Sequence, residues 1–215
     1  GAGLAPLAAQ GRPERAAAPA PTDPKALEAL YRARLDSARM RFTPADVRFM
    51  SDMIHHHAQA VTMSRWAATH GASKAVQVLA GRIINAQLDD ITTMTTWLRD
   101  RRQPVPAVHD MGGALMVHAD GDHDGHAGHA MAGMLSDDEM RALDAARGGD
   151  FDRRFLEGMI RHHQGAVTMV DALFATDGAA RDEQVFKFAS DVQVDQSTEI
   201  ARMELMLAAV RAAAR

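Results

Sequence analysis

Two short stretches hold the residues whose types and spacing could do chemistry: Met53-Ile54-His55-His56-His57 and Met159-Ile160-Arg161-His162-His163. Paired imidazoles one turn after a thioether are transition-metal ligands, and that set suits copper, above all cuprous copper, while serving magnesium or calcium poorly. The chain has no cysteine, 11 histidines and 14 methionines. A soft-metal site must therefore use imidazole and thioether, both of which survive an oxidising compartment. Neighbouring residues on a helix point about 100° apart, so His56 and His57 do not easily chelate one ion between them. A site needs imidazoles from both stretches, or one histidine with groups from a partner helix. The candidate metal ligands are His56, His57, His162 and His163, with Met53, Met159, Met63 and Met169 lining the same groove. Single histidines on apolar faces are usually hydrogen-bonded core residues, and methionines at helical spacing usually fill cores. Here the inward pair recurs while its outward neighbour changes from His55 to Arg161, which favours a site over packing. His55 itself reads as solvated.

The recurrence is a duplication. FMSDMIHHHAQAVTM (Phe49 to Met63) lies on FLEGMIRHHQGAVTM (Phe155 to Met169), and ITTMTTWL (Ile91 to Leu98) on IARMELML (Ile200 to Leu207) after a slightly longer turn. Each segment has the period of an amphipathic helix. Thr43 and Pro44 form a start signal, and His70 and Gly71 a stop signal. Two such hairpins must bury their apolar stripes against each other. The expected fold is all-α: a ferritin-like four-helix bundle from a duplicated helical hairpin, with short accessory helices before each copy. One accessory helix is expected from about Pro24, the other from the capping box at Ser136 to Glu139. Residues 1–24 read as an Ala/Pro-rich linker, 25–101 as the first repeat, 102–135 as a His/Met-rich connection and 136–215 as the second repeat. That connection is long enough to cross from one end of a bundle to the other.

Within the stripes, Gln87 and Gln196 are lone polar groups, equally suited to orienting an imidazole and to closing a packing network. Asp46 and Asp152 stand roughly 15 Å from the histidines along their own helices and share no ion with them; Asp46 could reach the other copy if the copies run antiparallel, but its place in the first turn makes capping the simpler role. Asp90 and Glu199 read as solvated stripe edges. The connection adds His109, His118, His123, His126 and His129 with Met111, Met116, Met131 and Met134, a tract that suggests weak, flexible metal capture. A formal net charge of −4 and 5% aromatic residues argue against nucleic acid as a partner. No apolar run is long enough to span a bilayer. The chain opens on Gly1, which reads as a processed terminus following an export segment.

At MIHHHAQAVTM, MIRHHQGAVTM and QSTEIARMELML the chain resembles the domain-of-unknown-function family 305, over roughly residues 43–101 and 136–208. The resemblance implies a bacterial, generally exported helical bundle linked to copper binding and tolerance. It also implies metal-ligand roles for His56, His57, His162 and His163, with Met53 and Met159 as candidates. The first copy departs from the pattern at Ala58-Gln59, where the second has Gln164-Gly165, so the copies are expected to differ in affinity. The leading expectation is an extracytoplasmic protein binding a copper ion, Cu(I) or Cu(II), for sequestration or handover. Another transition metal and a homo-oligomer stay open. One alternative is a ferritin-like dinuclear metal oxidase, disfavoured because neither copy has Glu-x-x-His. Another is a structural or partner-binding helical protein whose histidines only pack. No catalytic residue is assigned, and no nucleophile triad or nucleotide-binding loop is present.

Overall fold

The computed structural model describes residues 23–118 and 131–214. Nearly all of the expected N-terminal linker, and His123, His126 and His129 of the connection, lie outside the described residues. The chain divides into two compact units, 1–38 and 39–215. From the first comes α1 (Pro24–Arg39), on which Leu27, Leu30, Tyr31 and Leu35 form an exposed apolar stripe.

The second unit holds the duplicated hairpins. The first hairpin is α2 (Pro44–Trp66) and α3 (Lys74–Asp100); the second is α5 (Gly148–Ala175) and α6 (Glu183–Ala213), preceded by the short α4 (Asp137–Ala145). α2 begins where the sequence places it. The Thr43 side chain accepts from the Asp46 amide, and the Asp46 carboxylate accepts from the Thr43 amide at 2.7 Å, closing a capping box. Ser136 and Glu139 do the same for α4.

α2 and α5 run antiparallel through the centre, and the two N-terminal aspartates lock them. Asp46 Oδ1 accepts from the Ala180 amide at 2.7 Å, in the turn of the second hairpin. Asp152 accepts from the Ser73 amide at 3.1 Å, in the turn of the first. Each copy thus holds the other's turn, and Asp46 does so in addition to its capping role. The Asp46 bond helps hold Ala180 at φ +53°, a conformation a non-glycine residue seldom adopts.

Two apolar clusters fill the bundle. One gathers Met63, Leu79, Ile83, Phe151, Phe155, Met159 and Met203. The other gathers Phe49, Met53, Met94, Trp97, Val170, Phe188 and Val192. Burying each large side chain is worth roughly 1.5–3 kcal/mol, so these clusters supply most of the drive to fold. Every bundle helix contributes to both clusters, and on every one buried polar side chains lie between its two contributions. They are His56 and His57 on α2, Gln87 on α3, His162 and His163 on α5 and Gln196 on α6. A single polar layer therefore crosses the core.

The described parts of the connection between the copies, residues 102–118 and 131–135, hold regular elements and fixed contacts that its composition does not suggest. The connection starts at Arg101, whose buried guanidinium pairs with Asp182 at 2.6 Å, and ends at α4, where Asp144 holds buried His70 at 2.9 Å. Between them lies an antiparallel hairpin, β1 (Ala107–Asp110) and β2 (Leu115–His118). The described parts of the connection lie against α2, leaving the bundle at one end and rejoining it at the other, the crossover that its length permits. Val108 and Val117 of the hairpin face the second cluster, and Gly112 in its turn takes φ +79°.

Candidate metal centre

The central layer is built by the duplication itself. Because α2 and α5 are antiparallel, equivalent positions meet, and the rings of His56 and His162 face each other with centroids 3.8 Å apart. His57 and His163 flank them, 6.4 Å and 6.2 Å from their chain neighbours. All four side chains are fully buried. The two copies therefore bring the four candidate histidines into one interior.

Each ring is tied through the same nitrogen. Nε2 of His56 lies 3.0 Å from the Ala132 carbonyl oxygen, and Nε2 of His162 lies 3.0 Å from that of His56. A carbonyl oxygen only accepts, so both Nε2 atoms carry the proton. Nε2 of His57 is 3.1 Å from Asp90 Oδ2, and Nε2 of His163 is 2.7 Å from Glu199 Oε2. The sequence reading of Asp90 and Glu199 as solvated edges is corrected here. They occupy equivalent places in the two copies, and each holds an inner imidazole. Three residues before Asp90 on one helix and before Glu199 on the other come Gln87 and Gln196.

The opposite nitrogens are unclaimed. Nδ1 of His56, His57, His162 and His163 is buried without a hydrogen-bond partner, as are both amide atoms of Gln87 and Oε1 of Gln196. Leaving a buried polar group unsatisfied costs about 1–3 kcal/mol. Burial, with the nearby His57 charge adding to it, holds the His56 imidazole down at about 3. Burial and the charges of His56 and His163 push His162 well below its ordinary value. Burial also lowers His163, against the pull of Glu199. Neutral rings protonated at Nε2 present a lone pair at Nδ1, and an acceptor behind Nε2–H is how proteins orient metal-binding imidazoles. The donor set fits a borderline or soft transition metal. Among the described residues, no three His, Cys, Asp or Glu side chains are grouped as a metal cage.

The methionines lie above and below this layer. Met53 is fully buried in one apolar cluster, Met63 and Met159 in the other, and Met169 is half-buried at the margin. The roof over His56 is a turn whose role sequence reasoning missed. Ala132 supplies the carbonyl to His56, and Gln59 clamps the next residues by donating to Leu135 O at 2.9 Å and accepting from its amide at 2.8 Å. The turn sits directly on Gly165, where an added Cβ would stand 1.9 Å from Ala132 O. Gln59 and Gly165 are equivalent positions in the two copies. Their difference, visible in the sequence as a departure from the repeat, is what lets one turn close over the pair. His55, read as solvated, is half-buried in a groove with Met131, Met134 and Met140.

Duplicated hairpins around a histidine layer define a ferritin-like helical protein of a double-histidine type. The sequence matches the DUF305 family, a domain of unknown function, over residues 46–207, and the chain belongs to that family. Its fold is that of a DUF305 fragment from Deinococcus radiodurans, 29% identical, with a TM-score of 0.63 over 78% of this chain and 97% of that one. A DUF305 protein from Streptomyces coelicolor, assigned as secreted, is 28% identical with a TM-score of 0.61, covering 77% and 93%. CopM in its Cu(II)-bound form is 31% identical with a TM-score of 0.56, covering 75% and 95%. CopM has also been solved with Cu(I), with silver and in the apo form. Comparison with curated proteins returns no match. Among the described residues, no helix is long and apolar enough to cross a membrane.

Proposed function

We propose that this protein binds copper outside the cytoplasm, for sequestration or handover, and that the ion is held in the histidine layer between the two copies. The observation that carries the reading is the set of four buried Nδ1 atoms without partners, each on a ring fixed through Nε2. Four such atoms in one layer are a large unmet demand in a dry core. A copper ion meets it, because it takes lone pairs from neutral imidazoles without requiring a charged ligand cage. In this reading His56 and His162, one from each copy, are the central donors. His57 and His163 complete the layer, and Met53, Met159, Met63 and Met169 are the available thioethers. The copper- and silver-bound forms of CopM support the choice of metal, and the Streptomyces relative supports the location.

Titration of the apo-protein with Cu(I) under reducing conditions, and separately with Cu(II), tests it. At one hundred times the dissociation constant a native-state ligand adds about 2.7 kcal/mol. For a domain of this size that raises Tm by roughly 5–10 °C. His56→Asn with His162→Asn should abolish both the interior equivalent and its thermal shift. A wild-type Tm indifferent to copper would leave the histidines a packing role only.

A further inference from the structure

The β1–β2 hairpin has two unlike faces. Val108, Leu115 and Val117 pack inward on the second apolar cluster. In the register Ala107 stands opposite His118 and His109 opposite Met116. Strand alternation therefore puts His109, Met116 and His118 together on the outer face. Directly opposed residues have Cβ atoms about 4.5–5.5 Å apart, and diagonal neighbours are still within reach of long side chains. The diagonal pair leans together, with the His109 and His118 ring centroids 5.5 Å apart. Met116 is 47% exposed, so it fills no core.

The face is held firmly. The Leu115 amide donates to Thr62 Oγ1 on α2 at 2.9 Å, and the Asp110 carboxylate takes both terminal nitrogens of Arg65 at 2.8 Å. With metal–nitrogen bonds near 2 Å, two imidazoles on one ion have ring centres roughly 5–6 Å apart. The observed spacing falls in that range. We propose that His109, Met116 and His118 form a second, surface site for a soft monovalent cation, of which copper(I) and silver(I) are the chemical class. Two imidazoles and one thioether select such ions over zinc, magnesium or calcium. The site is independent of the interior layer, and its exposure lets it load from solvent without opening the bundle.

The experiment is a silver(I) titration of the full chain, followed by NMR of the methionine methyl and histidine ring signals. The Met116 methyl and the His109 and His118 rings should shift together within one equivalent. His109→Asn with His118→Asn changes two exposed side chains and should leave the fold intact. That variant should bind one silver ion fewer while keeping the interior equivalent. Met116→Leu should weaken cuprous binding at this site by about tenfold or more and leave cupric binding nearly unchanged, because only the soft ion gains from sulfur. Unchanged stoichiometry in the double variant, or a Met116 methyl that does not move when the rings do, would overturn the site. Loss of the interior equivalent alone, in His56→Asn with His162→Asn, reports on the buried layer and leaves this proposal standing.

Discussion

Acid should unfold this protein through its histidines before its carboxylates. His56, His162 and His163 all have folded-state values below the ordinary 6.5. The unfolded chain therefore takes up protons that the folded chain refuses, so stability is full above pH 6.5 and drains as the pH falls through the window below it. For His56 that window runs down to about 3, a total of roughly 5 kcal/mol at 1.36 kcal/mol per unit. While all three rings stay neutral in the fold, the slope is three times that, about 4 kcal/mol per pH unit. Against a typical stability of about 5–15 kcal/mol, a loss at that rate would unfold the bundle roughly one to four units below pH 6.5. The clean interval is pH 6 to 5, where most carboxylates remain ionised. There the metal-free Tm, followed by circular dichroism at 222 nm, should drop by roughly 10 °C. The exposed-site variant His109→Asn with His118→Asn should show the same drop. A metal-free Tm flat from pH 7 to 5 would mean that His56, His162 and His163 are not buried as neutral imidazoles, and would leave the layer without their unprotonated donor nitrogens.

Gly165→Ala should shift the turn over His56, because its Cβ would meet Ala132 O at 1.9 Å and Gly133 Cα at 2.7 Å. Overpacking of this kind costs about 1–3 kcal/mol, and an unchanged Tm would show that the turn yields freely. Asp90→Asn and Glu199→Gln keep an acceptor for His57 and His163 but remove the charge that raises ring basicity. Copper affinity measured by chelator competition should fall roughly tenfold, with the metal-free Tm nearly constant; unaltered affinity would limit both carboxylates to packing. Gln87→Leu replaces an amide whose two polar atoms are buried and unpartnered. It should raise the metal-free Tm by removing an unmet group, and a lowered Tm would show that the amide is satisfied in solution.

The parts of this fold written locally were readable in advance. Thr43 with Pro44, and Ser136 with Glu139, mark their helix starts because a cap needs only the next turn. The duplication was readable because FMSDMIHHHAQAVTM and FLEGMIRHHQGAVTM align without a gap. Pairing across the bundle was not readable. Nothing near Asp90 says that its carboxylate meets His57, thirty-three residues away, because that contact is set by how α2 lies on α3. The spacing places Asp90 at a stripe edge, and an edge can be wet or can close on a neighbour; only packing decides. The β-hairpin was lost for another reason. Each strand is four residues long, too short for alternation to stand out in a tract dominated by histidine, methionine and glycine.

The two copies are more informative where they disagree than where they match. Had residues 59 and 165 stayed alike, the layer would be free to be twofold, with each central ring donating to the carbonyl of the other. His162 does donate to His56 O, but His56 donates instead to Ala132. The turn that supplies Ala132 fits only because position 165 has no side chain, and it stays because position 59 has an amide that reaches both polar groups of Leu135. The connection between the copies has thus become part of the centre it spans. Removing the clamp tests whether that matters to the metal. Gln59→Ala removes the clamp without touching any candidate ligand. If the turn gates the layer, copper should enter and leave this variant faster than the wild type at similar affinity, in stopped-flow exchange against a chelator. Equal exchange rates would make the turn a fastening of the fold alone.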